Sequence, residues 1–319
     1  MRAIQVTRFG GPDVLEVAEL PDPEPGPGEL LLQVTGCGVN YADTHQVEDS
    51  YLAKQSLPFV PGTEVIGLAD DGRRLCGFVS RGGGYAELAV VGKTSVFEVP
   101  PNVSDGAALA LLVHGLTAYH LLRTSARLAA GESVVVHAAA GGVGSLAVQL
   151  AKRWDAGRVI AVASTPEKRE LALSLGADVA VDSNASDLAT ALREANGGAK
   201  VDVVLEMVGG ATFDASLRVL ATFGRLVTFG AASREEPTPV NPSALMVGSK
   251  SIIGFWLVNA MSGGRAATMV APPLMELVSM AAQGQLKPQV GQAYPLADAR
   301  RAHEDMRARA TTGKVILVP

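Results

Sequence analysis

The segment from Val134 to Trp154, VVVHAAAGGVGSLAVQLAKRW, joins an apolar run, a turn of small residues and a helical pattern. A strand, a glycine-rich turn and a helix in this order are typical of dinucleotide-binding βα units, whose glycines permit a tight turn and a close approach to a pyrophosphate. The turn contains Gly141, Gly142 and Gly144. Ala139 replaces the first glycine of the usual pattern, so a tight turn without a ligand remains the alternative interpretation.

The sequence after residue 132 alternates between strand and helix patterns. Strands are predicted at residues 133–137, 158–163, 179–181, 201–207, 225–229 and 251–257. Helices are predicted at residues 143–153, 166–175, 187–195 and 211–220. This alternation predicts an α/β fold with a doubly wound parallel sheet, which favours dinucleotide binding at the N-terminus of the helix after the glycine-rich turn. The expected contacts are Ala140, Gly141, Gly142, Val143 and Gly144.

The first 100 residues contain short strand patterns separated by Gly and Pro, which predict a small barrel or sandwich. A helical pattern then covers Ser104 to Leu128, with Ser104 as a candidate N-cap and Gly115 as a candidate break. Residues 272–283 and 297–309 are predicted to be helical, and residues 314–318 form a last predicted strand.

The composition limits the classes of function. The net charge is −5 and there is no basic tract, which argues against a nucleic-acid partner. No apolar run approaches the length of a membrane span, and the first residues lack the apolar stretch of a signal peptide. Cys37 and Cys76 are too few for a disulfide framework or a cysteine-based metal site, so we expect buried, reduced thiols in a cytoplasmic protein.

The end of the second predicted strand bears on the choice of dinucleotide. An NAD site needs an acidic residue there, about 20 residues after the glycines, for the ribose hydroxyls. This chain has Ala163, Ser164 and Thr165 instead, followed by Lys168 and Arg169. A hydroxyl and two cations suit a 2′-phosphate, so we expect NADPH as cofactor, with Ser164 and Lys168 in its site. The alternative is that both cations are solvated charges on a helix.

Six segments occur in an order that carries a resemblance. They are GVNYADTH (38–45), LPFVPGTEVIG (57–67), GGGYAEL (82–88), GLTAYHLL (115–122), VHAAAGGVGSLAVQLAK (136–152) and RATTGKVILVP (309–319). Over essentially its whole length the chain resembles the zinc-independent, zeta-crystallin-like quinone oxidoreductases of the medium-chain dehydrogenase/reductase superfamily. The resemblance implies a GroES-like, β-rich catalytic domain and an inserted Rossmann domain, with the active site in the cleft between them. The implied domains are residues 1–112, 113–257 and 258–319, the last returning to the catalytic domain.

Zinc alcohol dehydrogenases of the same superfamily provide a test for a metal. Their ligand segments resemble Cys-x-x-Asp and Gly-His-Glu, where this chain has Asn40 and Thr63 in place of the Cys and the His. Glu64 alone is retained, whereas catalytic zinc needs about three protein ligands. We therefore expect no metal site.

The resemblance implies NADPH-dependent reduction of a quinone by hydride transfer, because such acceptors take a hydride without a Lewis acid. Two alternatives remain. One is an enoyl or enone reductase in a biosynthetic pathway, and the other is a non-catalytic NADPH-binding protein.

The resemblance also assigns candidate site residues. Asn40 is implied to bind the acceptor oxygen, Tyr51 to lie near the nicotinamide, and His45, where relatives often have an aromatic hydroxyl, is a candidate proton donor. Further cofactor contacts are implied at Thr117, Phe229, Gly230, Phe255 and Arg309. Ser183 stands where relatives often have a tyrosine for the 2′-phosphate, which weakens the expected preference for NADPH.

An apolar strand is predicted from Ser251 to Leu257, SIIGFWL. An exposed apolar edge strand needs a cover, and the equivalent strand of the family pairs across a two-fold axis. We therefore expect a homodimer through this strand.

Overall fold

The computed structural model of the protein describes residues Met1–Pro319, and it divides them into two compact units. Unit 1 comprises Met1–Val113 and Leu277–Pro319, and unit 2 comprises His114–Glu276. The chain returns to unit 1 at Leu277, later than the border at residue 258 that the sequence indicated. Two hydrogen bonds hold residues 258–276 to the rest of unit 2. His120 Nε2 pairs with the Met269 carbonyl at 2.6 Å, and the Tyr119 hydroxyl donates to Glu276 at 3.1 Å.

The chain forms fourteen strands and twelve α-helices. The strands are β1 (Arg2–Gln5), β2 (Glu16–Glu19), β3 (Glu29–Val39), β4 (Glu64–Leu68), β5 (Arg74–Arg81), β6 (Leu88–Glu98), β7 (Ser133–His137), β8 (Arg158–Ala163), β9 (Val179–Asp182), β10 (Val201–Glu206), β11 (Leu220–Thr228), β12 (Ser251–Gly254), β13 (Val290–Pro295) and β14 (Lys314–Val318). The α-helices are α1 (Tyr41–Val47), α2 (Asp105–Ala110), α3 (Leu116–His120), α4 (Gly142–Arg153), α5 (Pro166–Ser174), α6 (Leu188–Ala195), α7 (Gly210–Val219), α8 (Pro242–Val247), α9 (Leu257–Met261), α10 (Ala266–Met269), α11 (Ala271–Ala282) and α12 (Ala299–Arg307).

Unit 1 is built on a six-stranded sheet of order β13-β14-β3-β4-β5-β6. The long strand β3 also pairs with β6, so the strands from β3 to β6 close on themselves as the sequence predicted for a small barrel. β14 lies between β13 and β3, with Ile316 opposite Gly38. Leu32, Val65 and Leu317 are among the buried side chains that fill the core.

Unit 2 is built on a six-stranded sheet of order β12-β11-β10-β7-β8-β9. Every neighbouring pair is parallel, which confirms the predicted doubly wound sheet. β7 is central and buried along its length, which explains its uninterrupted valines. Val135, Ile160 and Val204 lie in the core of this unit.

Two local predictions were wrong. The strand predicted from Ser251 to Leu257 ends at Gly254, because Trp256 already forms the N-terminal cap of α9. The predicted break at Gly115 does not occur, since Gly115 is helical at φ −64° and ψ −51°. Instead, π-helical turns at Leu111–Gly115 and Leu121–Ser125 flank α3. None of the helices combines the length and the apolar character that a membrane span requires.

Candidate active site

The glycines of the β7–α4 turn have different structural roles. A Cβ on Gly144 would lie 2.3 Å from the Ala138 carbonyl oxygen, so only glycine lets α4 pack this closely on the turn. A Cβ on Gly142 would overlap the ring of His114, at 2.0 Å from Nδ1. A Cβ on Gly141 would meet only the Ala138 oxygen, at 3.1 Å. The backbone is therefore open above Gly141, where a ligand could approach.

The N-terminus of α4 offers donors to an anion. Gly141 is its N-cap and provides no side-chain hydrogen bond to the first turn. The first intrahelical bond runs from Ser145 N to the Gly141 carbonyl at 2.9 Å. The amides of Gly142, Val143 and Gly144 precede it, and helix amides at this position bind phosphates. The open backbone and these amides fit the pyrophosphate of a dinucleotide, with Ala140 directly before Gly141 in the turn.

The end of β8 carries the second group of predicted cofactor contacts. Thr165 caps α5 and accepts from Lys168 N at 3.3 Å, which places Lys168 in the first turn of that helix. Ser164 lies between β8 and this cap. Arg169 is engaged by Asp182, at 3.1 Å, and by the Ala163 carbonyl, at 3.2 Å. Asp182, which β9 brings opposite Ala163 and which Arg169 neutralises, was not predicted from the sequence.

The ends of β10, β11 and β12 lie at the same edge of the parallel sheet as the β7–α4 turn. Phe229 follows β11 and donates its N–H to the Glu206 carbonyl at 3.0 Å, and Gly230 is the next residue. Phe255 follows β12, and its ring stacks on His120 with centroids 5.9 Å apart. Thr117, one turn before His120 on α3, is buried. This edge is where ligands of doubly wound sheets bind.

Glu206, at the end of β10, was not predicted from the sequence. Its carboxylate is buried and accepts from the backbone N–H groups of Val208, at 2.6 Å, and Gly209, at 3.0 Å. Its second oxygen, Oε2, has no hydrogen-bond partner. Burial raises the pKa of Glu206 above its usual value, although the two backbone bonds oppose this.

In unit 1, Asn40 belongs to a buried network with a carboxylate and an ammonium. Asn40 Nδ2 donates to Glu64 Oε1 at 2.9 Å, and Lys314 Nζ donates to Asn40 Oδ1 at 2.9 Å. Lys314 also contacts Glu64 Oε1 directly, and the other carboxylate oxygen accepts from Val113 N at 2.9 Å. The side chains of Glu64 and Lys314 are both 0% exposed. Lys314 was not singled out in the sequence, although a lysine at the start of the apolar strand β14 is unusual.

A second buried network begins one helical turn further on. Asp43 Oδ2 accepts from Asn40 N at 2.8 Å and from the Tyr85 hydroxyl at 2.8 Å, and the Tyr85 oxygen lies 3.0 Å from His303 Nε2. Burial raises the pKa of Asp43 to about 6, against the lowering effect of both hydrogen bonds. Burial also lowers the pKa of His303 to about 4, so this histidine is neutral at pH 7. Tyr85 and His303 were not predicted as site residues.

The remaining predicted site residues of unit 1 occupy separate positions. His45 lies in the last turn of α1, and its Nδ1 pairs with Ser50 Oγ at 2.8 Å. Tyr51 is half-buried in the segment that follows this helix. Arg309 is exposed two residues after α12, with φ +57°. The structure therefore brings Asn40, but not His45, into the Glu64–Lys314 network.

The residues at the position of the zinc ligands do not fit zinc. The Glu64 carboxylate is already neutralised by Lys314, Asn40 supplies an amide that bridges the two, and Thr63 is exposed. The structure contains no group of three or more His, Cys, Asp and Glu side chains arranged to hold a metal ion.

Comparisons with known proteins agree with this architecture. The family described as "Alcohol dehydrogenase GroES-like domain" matches residues 26–71, and the family described as "Zinc-binding dehydrogenase" matches residues 142–276. Quinone oxidoreductase from Rattus norvegicus is 32% identical over 330 residues, covering 100% of this chain and 98% of the relative.

Solved structures show the same similarity. Quinone oxidoreductase from Thermus thermophilus, whose structure was also determined in complex with NADPH, has a TM-score of 0.89 and 38% identity over 100% of both chains. The Escherichia coli quinone oxidoreductase complexed with NADPH has a TM-score of 0.91 and 33% identity, again over 100% of both chains. A GroES-like domain and a doubly wound parallel sheet in one chain define a medium-chain dehydrogenase/reductase. Within that superfamily, the chain belongs to the quinone oxidoreductase family.

Proposed function

We propose that this protein reduces a quinone with NADPH as the electron donor and without a metal ion. The observation that carries the proposal is the Asn40 network, in which an amide held by Glu64 and Lys314 lies where zinc dehydrogenases have a metal ligand. Such an amide can donate a hydrogen bond to the oxygen of an acceptor as negative charge develops on it. The relatives named above, called quinone oxidoreductases, support the choice of acceptor.

The proposed cofactor contacts are those at the carboxyl edge of the parallel sheet. The amides after Gly141 would hold the pyrophosphate, and Ser164 and Lys168 would bind the 2′-phosphate. Thr117, Phe229, Gly230 and Phe255 would border the nicotinamide end. When bound, NADPH supplies the hydride, whereas the protein residues orient the cofactor and the acceptor.

The reduced product requires a proton, and two residues are proposed to provide it. A histidine side chain can act as a general acid, and Nδ1 of His45 pairs with Ser50 Oγ at 2.8 Å. Tyr51 follows α1 in the chain and could donate its hydroxyl or stack on a flat acceptor.

The deciding experiment is NADPH oxidation by purified protein after treatment with a chelator. A small quinone, a bulky quinone and an α,β-unsaturated ketone are compared, with NADH as the control donor. We expect turnover of quinones at a rate that the chelator does not change. Turnover of the ketone alone would replace the proposal with an enone reductase. Bound NADPH without turnover of any acceptor would indicate a non-catalytic protein.

We further propose that the protein is a homodimer through the edge of the unit 2 sheet. β12 pairs only with β11, which leaves its other edge open for a second copy. An exposed apolar cluster lies beside the start of this strand, formed by Phe223, Met246 and Val247, and Phe223 N bonds to the Gly248 carbonyl at 3.0 Å. Sedimentation of the wild type and of M246E/V247E tests this, since the variant should be monomeric. A monomeric wild type would refute the dimer.

A cytoplasmic location is the last part of the proposal. Cys37 and Cys76 are both buried and free, and burial raises the pKa of the Cys37 thiol to about 12, so this thiol resists reaction. Such thiols suit a reducing compartment. Fractionation of cells that express the protein provides the test, and recovery from an oxidising compartment would refute it.

A further inference from the structure

The buried Lys314 carries a charge that the proposed chemistry does not yet explain. Its ammonium lies at 0% exposure, with three acceptors: the Glu64 carboxylate, Asn40 Oδ1 at 2.9 Å and the Val39 carbonyl at 3.2 Å. All three hydrogens of the ammonium can therefore be satisfied within unit 1. Buried ion pairs are weak contributors to stability relative to apolar substitutes, so stability alone does not account for this lysine.

The ion pair dictates which way the Asn40 amide faces. An ammonium only donates hydrogen bonds and a carboxylate only accepts them. The oxygen of Asn40 must therefore face Lys314, and its nitrogen must face Glu64, as observed. The reversed amide would place its hydrogens against the ammonium and its oxygen against the carboxylate. Without the two charges, the amide would lose the two partners that hold it in this orientation.

The same arrangement also changes the strength of the amide as a donor. Asn40 Nδ2 has two hydrogens, and Glu64 accepts one of them. The other is available to an acceptor that reaches Asn40, a residue that is 4% exposed. Because hydrogen bonds in a chain polarise one another, the ammonium on Oδ1 makes this second N–H a stronger donor.

We infer that Lys314 is a positioning residue for the reaction: together with Glu64 it fixes and polarises the Asn40 amide, so that an N–H is presented to the oxygen of the acceptor. In this chain an internal ammonium provides the positive charge of the site. The inference rests on the proposed function in one respect, namely that Asn40 contacts the acceptor.

A glycine in β3 leaves space for the Glu64–Lys314 ion pair. A Cβ on Gly38 of β3 would lie 2.5 Å from Glu64 Oε1 and 2.7 Å from Lys314 Cε. Glycine at this position therefore leaves the volume that the two charged side chains occupy. The G38A variant should displace the ion pair without removing either charge.

The test removes both charges at once, because a single Lys314 variant would leave a buried carboxylate uncompensated and could unfold the protein. The variant is E64Q/K314M. Its matched control is R74M/D105N, which removes another ion pair of unit 1, at 2.9 Å between β5 and α2, where Arg74 pairs with Leu68 at the opposite end of β4 from Glu64. For both variants and the wild type we would measure kcat, KM for the acceptor, the Kd for NADPH by fluorescence, and Tm.

We expect E64Q/K314M to lower kcat on the order of 100-fold, the effect typical of losing a donor to a developing oxyanion. The Kd for NADPH should remain unchanged, and R74M/D105N should keep its kcat even where its Tm falls. G38A should lower kcat in the same direction. If E64Q/K314M has a lower Tm but an unchanged kcat, the inference is overturned, since the ion pair would then have only a structural role.

A double-mutant cycle with N40A separates positioning from an independent effect. In the wild type, N40A should lower kcat about as much as E64Q/K314M does. In the E64Q/K314M background, N40A should lower kcat little further, because both changes remove the same oriented amide donor. Additive losses would show that Lys314 and Glu64 act on something other than Asn40.

A measurement without turnover keeps the inference distinct from the proposed function. The side-chain amide signals of Asn40 in the nitrogen–proton NMR spectrum, assigned by their loss in N40A, should shift in E64Q/K314M and not in R74M/D105N. Unshifted signals would overturn the inference. If the wild type reduces no acceptor, the proposed function fails, but this spectrum still tests the orientation of the amide.

Discussion

The Tyr85 hydroxyl donates to Asp43 Oδ2 at 2.8 Å inside unit 1, where both side chains are buried. Because that hydroxyl has one hydrogen, its oxygen accepts from His303, which must carry its proton on Nε2. Gly62, at φ +92°, makes room for this tyrosine, since a Cβ there would lie 2.5 Å from Tyr85 Cδ1. Asp43 in turn accepts from Asn40 N, so the position of Asn40 depends on a chain of buried polar contacts.

The first prediction concerns this hydroxyl. Y85F should lower the free energy of unfolding by about 1–3 kcal/mol at neutral pH, because a buried carboxylate loses a donor. Urea denaturation measures the loss. Y294F is the matched control, since Tyr294 donates to the partly exposed Asp305 at 2.7 Å, and it should cost less. An equal loss in the two variants would contradict the special role of the buried contact.

The second prediction concerns pH. The folded-state pKa of His303 is about 4 against 6.5, so its contribution to stability is present above pH 6.5 and is lost as the pH falls towards about 4. Asp43 has the opposite sign, because its pKa is raised from 3.8 to about 6 and its contribution is lost as the pH rises through about 6. The two effects oppose one another in the window between.

The variant H303Q removes the histidine contribution and leaves that of Asp43. Relative to the wild type, H303Q should gain up to about 3 kcal/mol of unfolding free energy as the pH falls from 6.5 to about 4. Urea denaturation across this window measures the difference. A difference that does not change with pH would show that His303 is not held neutral by burial.

The third prediction separates two glycines of the β7–α4 turn. G141A should fold with only a small loss of Tm, because Gly141 has φ −79° and a methyl group there would meet only the Ala138 carbonyl oxygen, at 3.1 Å, but it should raise the Kd for NADPH by about tenfold or more, equivalent to about 1.4 kcal/mol. G144A should lose stability, since its methyl group would strike the Ala138 carbonyl. Calorimetry and fluorescence titration compare the two. Unchanged NADPH binding in G141A would refute the proposed phosphate site.

The fourth prediction tests the choice of cofactor. K168A should weaken the binding of NADPH more than the binding of NADH, because only NADPH carries the 2′-phosphate that this cation is proposed to bind. R193A, on α6 with its Nε on the Gly198 carbonyl, makes the same change in net charge and should affect neither cofactor selectively. Equal losses of NADPH and NADH in K168A would remove Lys168 from the 2′-phosphate site.

The parallel sheet could be predicted from the sequence because each βα unit has its own local sequence signals. Apolar runs such as the one before Gly141 are bounded by turns, and Thr165 and Pro166 mark the start of a helix within a few residues. The end of β12 was harder to predict, since the apolar residues that continue beyond Gly254 enter α9 rather than the sheet. Periodicity cannot separate a short buried strand from the start of an apolar helix.

The candidate site was predicted only in part, for a different reason. Asn40 was identified through resemblance, but its partners Glu64 and Lys314 lie 24 and 274 positions away in the chain. No local pattern links such residues, and the register of β14 against β3 is what joins them. His45 was placed with the catalytic residues because relatives often have an aromatic hydroxyl at its position, yet its ring contacts Ser50 and Tyr41. The catalytic assignments of His45 and Tyr51 stay predictions.

The place of β14 beside β3 in the first sheet has a consequence for how the protein is made. β3 leaves the ribosome early, whereas the strand that covers its edge, and the ammonium that compensates Glu64, arrive only when residue 314 has been synthesised. Unit 2 is continuous in sequence and can complete its sheet first. Because unit 1 also needs contacts between the two ends of the chain, which form slowly, pulse-labelled hydrogen exchange during refolding of the full chain should protect β7 before β3, and the reverse order would contradict this. Until that last strand docks, the nascent first unit carries an open strand edge and an uncompensated acid, the features that attract chaperones and promote aggregation.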